Sequence, residues 1–270
     1  MNGKRSGKLN CRTGFVSPLI GRLGRPVIRH LSNLAHESLK EPGSWRCLEI
    51  VYRNEPRTLL DRFFLGSRSA RGARNRLRIM QEELHKCIEQ RSKFGNPVRV
   101  VSFGSGIGHE VLGCLERYKY DGCVKAVCVD RDIDAIKQGE LLAAQKGLSG
   151  CISYVQGNVL RMKPDAGGYD VGILSGLIDY FDFETAVSVL KTVKEQLVQG
   201  GTIFIANMRR HKLASTMSAL GNWNLVYREP EDVGSLLAES GYKEIEVLLE
   251  PEKVFCIGKA KRADISKCKQ

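Results

Sequence analysis

Three features of this 270-residue chain predict an α/β fold with a mostly parallel, doubly wound sheet behind a basic helical extension. From residue 97 onward, short apolar runs alternate with segments of helical period, the pattern of parallel strands joined by right-handed crossovers. A glycine-rich turn follows the first of those runs. The charge is also lopsided: residues 1–96 carry 20 Lys/Arg against 8 Asp/Glu and residues 97–270 carry 22 of each, so the whole formal net charge of +12 sits in the first third. With 42% hydrophobic and 27% charged residues there is apolar material for a sizeable core, which excludes disordered, collagen-like and coiled-coil classes.

In the extension, Leu31, Leu34 and Leu39 hint at a short helix ended near Pro42-Gly43. Residues 45–93 read as helical and strongly basic, through Arg57–Phe64 and an arginine run over Arg68–Arg78. Leu77, Met80, Leu84, Cys87 and Ile88 recur at helical spacing, so that run leads into an amphipathic helix. Gly95-Asn96-Pro97 breaks the chain and marks the boundary. This divides the protein into a basic, mainly helical extension over residues 1–96, read as a lid facing anionic groups, a ligand-binding domain over 97–262 and a tail over 263–270.

Within the domain, Val98–Phe103 reads as a buried strand, followed by a helix over roughly residues 108–118. Val124–Val129 is a second strand with a helix over Ile133–Lys146, Ile152–Val155 a third and Tyr169–Ser175 a fourth. Phe183, Ala186, Val187, Leu190, Val193 and Leu197 line the next helix, which Gln199-Gly200-Gly201 should stop. Thr202–Asn207 is a fifth strand. After a helix over Glu231–Ser240, Tyr242–Leu249 and Lys253–Ala260 form a closing hairpin around Pro251.

Nine cysteines, odd in number and without any C-x-x-C pair, point to reduced structural thiols in a cytoplasmic protein and to no metal site. No run of ~18 consecutive apolar residues exists, so no membrane-spanning helix is expected. The basic start lacks a following apolar segment and reads as a mobile terminus, not a secretory signal.

The first strand ends in Val101-Ser102-Phe103-Gly104-Ser105-Gly106-Ile107-Gly108-His109-Glu110. Glycines there let backbone N–H groups approach a ligand closely, and the next helix offers its positive end. Asp130, 22 residues after Gly108, ends the second strand, where a carboxylate can accept hydrogen bonds from ribose hydroxyls. A dinucleotide motif would need glycine at position 109, which is histidine. The spacing Gly104-x-Gly106-x-Gly108 instead resembles motif I of class I S-adenosylmethionine (SAM)-dependent methyltransferases. Asp130, Gly157-Asn158-Val159 after the third strand and Leu197–Gly201 before the fifth match that family in order and register.

The resemblance covers about residues 97–262 and implies a Rossmann-like, seven-stranded, mostly parallel sheet closed by a reversed hairpin. It implies SAM as cofactor, held by Phe103, Gly104, Ser105, Gly106, Gly108, Asp130, Arg131, Asn158, Val159, Ser175 and Gly176. Position 102 departs from the family: serine stands where an acid usually meets the methionine end of SAM, and Glu110 or a hydroxyl is a candidate substitute.

A narrower resemblance rests on Ser175-Gly176-Leu177-Ile178-Asp179-Tyr180-Phe181, on Trp223-Asn224-Leu225-Val226-Tyr227-Arg228, on Leu60–Phe64 and on the Arg71–Arg78 run. These look like a bacterial subgroup that includes enzymes making 3-hydroxypalmitic acid methyl ester. It implies a small-molecule substrate, a fatty or other organic acid, with Asp179 and Tyr180 as catalytic or substrate-orienting residues. A carboxylate nucleophile is already ionised at neutral pH and needs no general base. Arg228 would clamp it bidentately, with Tyr227 as a hydrogen-bond partner. His109 and His211 read as structural and solvated, respectively. The second function class is RNA methylation, with the basic extension holding phosphates. Few aromatics interleave that segment, and no Asn/Asp-Pro-Pro-Tyr loop follows the fourth strand. Contact of the basic helices with an anionic membrane surface is a further expectation.

Overall fold

A computed structural model describes residues 30–93, 95–118, 122–162, 168–211 and 224–263. Residues 1–29, Trp223 and most of the tail, on which several expectations fall, lie outside the described residues. Four helices come first: α1 (Asn33–Lys40), α2 (Trp45–Arg53), α3 (Leu59–Leu65) and the long α4 (Arg68–Ser92). Three open on hydroxyl caps: Ser32, Thr58 and Ser67 accept the amides of Ala35, Asp61 and Ala70.

The predicted alternation then appears as β1 (Val98–Phe103), α5 (His109–Leu115), β2 (Val124–Asp130), α6 (Ile133–Gln145), β3 (Ile152–Gln156), β4 (Tyr169–Ser175), α7 (Phe183–Gln196), β5 (Leu197–Met208), α8 (Pro230–Glu239), β6 (Tyr242–Leu249) and β7 (Phe255–Arg262). The seven strands lie in the order β3-β2-β1-β4-β5-β7-β6, with β7 antiparallel to both neighbours. This is the Rossmann-like class I methyltransferase arrangement.

Strand alternation sorts the core into two layers. Val98 and Val100 of β1 face Met80, Leu84 and Ile88 of α4, Leu112 of α5 and Ala143 of α6. Val101 and Phe103 face the other way, onto Ala186, Leu190 and Val193 of α7 and Val233 and Leu237 of α8. A third cluster joins Val51, Leu65, Ala70 and Ala73 of the extension to Met208 and Phe255 at the ends of β5 and β7.

Two boundaries differ from expectation. Gly200 and Gly201 do not cap α7: that helix ends at Gln196, Leu197 is already extended, and β5 begins there. Gly200, at φ 67°, sits inside the strand, while β4 and β5 shift register between Tyr169 and Val171. The closing strand starts at Phe255, not Lys253, because Glu250 turns back to accept the amides of Glu252, Val254 and Phe255.

The arginine run is largely engaged within the chain, although Arg68, Arg71 and Arg78 stay about half exposed. Arg71 pairs with Glu252 (2.7 Å), Arg74 donates to the carbonyls of Val51 and Leu65, Arg78 pairs with Glu82, and Arg91 bonds Asp170 (2.8 Å). Lys259 of β7 returns the contact by pairing with Glu83 of α4. Apart from Arg78–Glu82, which lies within the helix, these contacts fasten α4 to the sheet, to the β6–β7 turn and to its neighbouring helices. No helix among the described residues is long and apolar enough to cross a membrane.

Candidate active site

β1 lies between β2 and β4, so the winding reverses there and a crevice opens at the C-terminal strand ends. Gly104, Gly106 and Gly108 all take positive φ (61°, 54° and 84°) in the turn that follows β1. At Gly108 a side chain is also shut out by space, since a Cβ would come 2.8 Å from the Cys128 sulfur. The Gly106 amide donates to Asp130 Oδ2 (2.7 Å) and the Asp132 amide to Asp130 Oδ1 (2.9 Å), so one carboxylate pins the glycine turn to the end of β2. From the other side Trp45 of α2 donates through Nε1 to Asp132 (3.1 Å), and its Cβ lies 3.3 Å from where a Gly106 Cβ would stand.

Above the strand ends is a chamber of about 1540 Å³. One part is lined by Gly104, Ser105, Gly106, Asp130, Arg131, Asn158 and Val159. The other is apolar, walled by Leu34, Leu39, Leu48, Val51, Phe63 and Phe64 of the helical extension. The extension is therefore a wall of the site.

The chamber wall carries a buried polar cluster of Tyr52, Arg76, Glu110 and Asp179. Arg76 is only 3% exposed, donates to the Tyr52 hydroxyl (2.6 Å) and stacks its guanidinium 4.8 Å from the Phe255 ring. Among the described residues its Nε has no hydrogen-bond partner, and neither has the Ser175 hydroxyl. Burial works against the Arg76 charge, yet Tyr52, Glu110 and Asp179 around it hold its pKa above the ordinary value. Burial pushes the Tyr52 phenol up to about 12, against the pull of Arg76. Asp179 accepts the Met208 amide (2.9 Å), and burial raises its carboxyl to about 7 although that amide, Arg76 and Arg228 favour the charged form.

A carboxyl that keeps its proton to about pH 7 when folded, and loses it near 4 when unfolded, removes stability as pH rises across that window. Chemical denaturation should therefore show wild type losing roughly 3 kcal/mol between pH 4.5 and 8 relative to Asp179→Asn. Parallel pH profiles for the two proteins would show that Asp179 titrates normally.

Of the residues expected from sequence, Gly104, Ser105, Gly106, Asp130, Arg131, Asn158, Val159, Ser175, Gly176, Asp179 and Tyr180 all line the chamber. Phe103 and Gly108 do not: the Phe103 ring is fully buried in the core, and Gly108 is a packing position against Cys128. Arg228 needs a larger correction. It is 4% exposed, and its guanidinium is spent on the Ile178 carbonyl (2.9 Å), Asn207 Oδ1 (2.8 Å) and the Phe181 carbonyl (2.7 Å). It braces the loop after β4 and is not a substrate clamp. Tyr227 also stays off the chamber wall; its hydroxyl is buried without a partner and its ring packs edge-on to His211. His211 itself is at the wall, 2.9 Å from the Ser69 hydroxyl, with its pKa lowered by burial, and is not the solvated loop residue expected. His109 contacts Glu49 (2.5 Å), and that bond draws the Glu49 carboxyl below its usual range.

Sequence reasoning missed Arg76, Tyr52 and Trp45. Arg76 had a legible signal, since it falls in register with Ala73, Met80 and Leu84 on the buried face of α4.

Residues 40–262 match the protein family described as "Putative methyltransferase". The chain belongs to this methyltransferase family. The match takes in α2 to α4 as well as the sheet, so the helical wall apart from α1 is part of the family's unit. The chain is 24% identical over 241 residues to the uncharacterized protein YnbC of Escherichia coli (strain K12), covering 80% of this chain and 40% of that one. It therefore spans about two fifths of the length of that curated relative. Among solved structures it resembles a "possible exported protein" from Bordetella parapertussis at a TM-score of 0.72, with 18% identity over 91% of this chain and 95% of that one. It also resembles magnesium protoporphyrin IX methyltransferase (ChlM) from Synechocystis PCC 6803, crystallised with bound S-adenosylhomocysteine (SAH), at a TM-score of 0.56, with 9% identity over 88% and 99% of the two chains. Both likenesses are of fold.

Proposed function

We propose that this methyltransferase uses SAM to methylate a small molecule with an apolar body, namely the carboxylate of a fatty or other organic acid. The observation that carries the reading is the two-part chamber. Its polar part has what a nucleoside requires: a turn of three glycines at positive φ and a carboxylate at the end of β2. Asn158 and Val159 stand at the end of β3, where adenine is read in proteins of this fold. Arg76 and Ser175, which also line the chamber, keep polar atoms that no described residue meets. When bound, SAM supplies an electrophilic methyl group on a sulfonium.

The residues of the chain bind, orient and exclude water. Helices α1 to α3 wall off the apolar part, so an acyl body is held out of water while its head group faces Asp179 and Tyr180. Ionised at neutral pH, a carboxylate asks no proton transfer of Asp179, whose hydrogen bonds already orient the loop after β4. The resemblance of Ser175–Phe181 to the ester-forming subgroup supports the same substrate class. An RNA substrate fits less well, because Arg71, Arg74, Arg78 and Arg91 are engaged within the chain.

The test is to incubate the protein with methyl-labelled SAM and a cell extract and to fractionate the products. Label is expected in the solvent-extractable fraction and should be released as volatile methanol by mild alkali, as a methyl ester requires. Label in RNA, or alkali-stable label, would overturn the carboxylate reading.

A further inference from the structure

Resting on the reading that SAM is the methyl donor, we propose that Arg76 and Glu110 form the clamp for its amino-acid end, Arg76 for the α-carboxylate and Glu110 for the α-ammonium. They take over from position 102, where serine replaces the acid usual in this fold.

Several independent observations converge. Arg76 and Glu110 both line the chamber next to the glycine turn, and both are nearly buried, at 3% and 6% exposure. A guanidinium in such a place normally has all its N–H groups satisfied, because an unmet buried donor is costly. Among the described residues Nε is unmet, and the side-chain bond that Arg76 makes is to the neutral Tyr52 hydroxyl. The terminal nitrogen Nη1 lies 3.3 Å from where a Gly176 Cβ would be, so a side chain at 176 would crowd the guanidinium. Arg76 thus lines the chamber with a guanidinium whose hydrogen bonding the described residues leave incomplete, and a carboxylate is the acceptor that a planar guanidinium suits best.

Glu110 supplies the opposite half. It stands in the first turn of α5, directly after the glycines, and its charge is felt by both Arg76 and Tyr52. Ser102 is 2% exposed and carries no charge, so it cannot meet an ammonium as an acid would. Glu110 offsets Arg76 one for one, so the pair accepts a zwitterion without stranding a charge.

Calorimetry on the full chain separates the clamp from a structural role by using three probes. These are SAH, 5′-methylthioadenosine, which lacks the amino-acid arm, and decarboxylated SAH, which keeps the amine alone. Arg76→Lys and Glu110→Gln preserve much of the volume and hydrogen bonding, so both are expected to fold. Each should weaken SAH by about 10- to 100-fold, the loss of one charge-assisted contact, while 5′-methylthioadenosine changes by less than about threefold. For decarboxylated SAH, the Arg76→Lys loss should vanish and the Glu110→Gln loss should remain. Unchanged SAH affinity, or equal losses for SAH and 5′-methylthioadenosine, would overturn the clamp while leaving SAM as donor. If wild type binds none of the three, the SAM reading fails first and the clamp with it.

Discussion

Asp130→Ala is expected to weaken SAH binding by two to three orders of magnitude in calorimetry, while the protein stays folded. The carboxylate is proposed to accept both ribose hydroxyls, and each charge-assisted hydrogen bond contributes about 1.5–3 kcal/mol. The same group pins the turn, through the Gly106 amide on one oxygen and the Asp132 amide on the other. Its removal therefore frees the backbone that the nucleoside would approach, and adds the cost of ordering that backbone on binding. Asp130→Asn keeps an acceptor for one amide and should lose only about tenfold. An Asp130→Ala protein that binds SAH like wild type would place the nucleoside elsewhere.

Arg228→Ala should be costly in a different currency. Its three acceptors, the Ile178 and Phe181 carbonyls and Asn207, sit in a dry region, and truncation leaves them unmet beside the buried Asp179. Removing one partner of such a buried charged network costs about 3–5 kcal/mol, which for a chain of this size is roughly a 10 °C fall in Tm. Burial lowers the Arg228 pKa while Asp179, Asp232 and Asp182 oppose that shift. Arg228→Lys keeps a charge but not the fork, and should fall in between. A variant as stable as wild type but dead in turnover would restore Arg228 to the substrate.

These two residues show what was legible in the sequence. Asp130 could be placed because its role follows from local order: an apolar strand, then an acid, at a fixed distance from a glycine turn. The whole sheet was legible for the same reason, since β1 to β4 and the closing pair each announce themselves by apolar runs and turn residues. Arg228 was misread because its chemistry suggested a ligand while its burial depends on β5 and the loop after β4 closing round it, a tertiary fact. Arg76 was absorbed into an arginine-rich surface, although Ala73, Met80 and Leu84 share its helix face. Composition called the helix outward, whereas the three-to-four-residue period had put that arginine inside. The Gly200-Gly201 stop failed because a helix can run directly into a strand with glycine serving a bend instead.

The fastened arginines of α4 also reshape the electric field around the molecule. Residues 30–96 hold 13 Lys/Arg against 8 Asp/Glu, a surplus of five, while residues 1–29 hold seven Lys/Arg and no acid. A guanidinium locked onto Glu252, Glu82 or Asp170 presents a short dipole, whose potential decays faster than that of a lone charge and fades within the ~8 Å Debye length of physiological salt. Of the surplus of twelve, seven charges lie in the first 29 residues and five in residues 30–96, so the larger share of the long-range attraction of anions originates ahead of the helices.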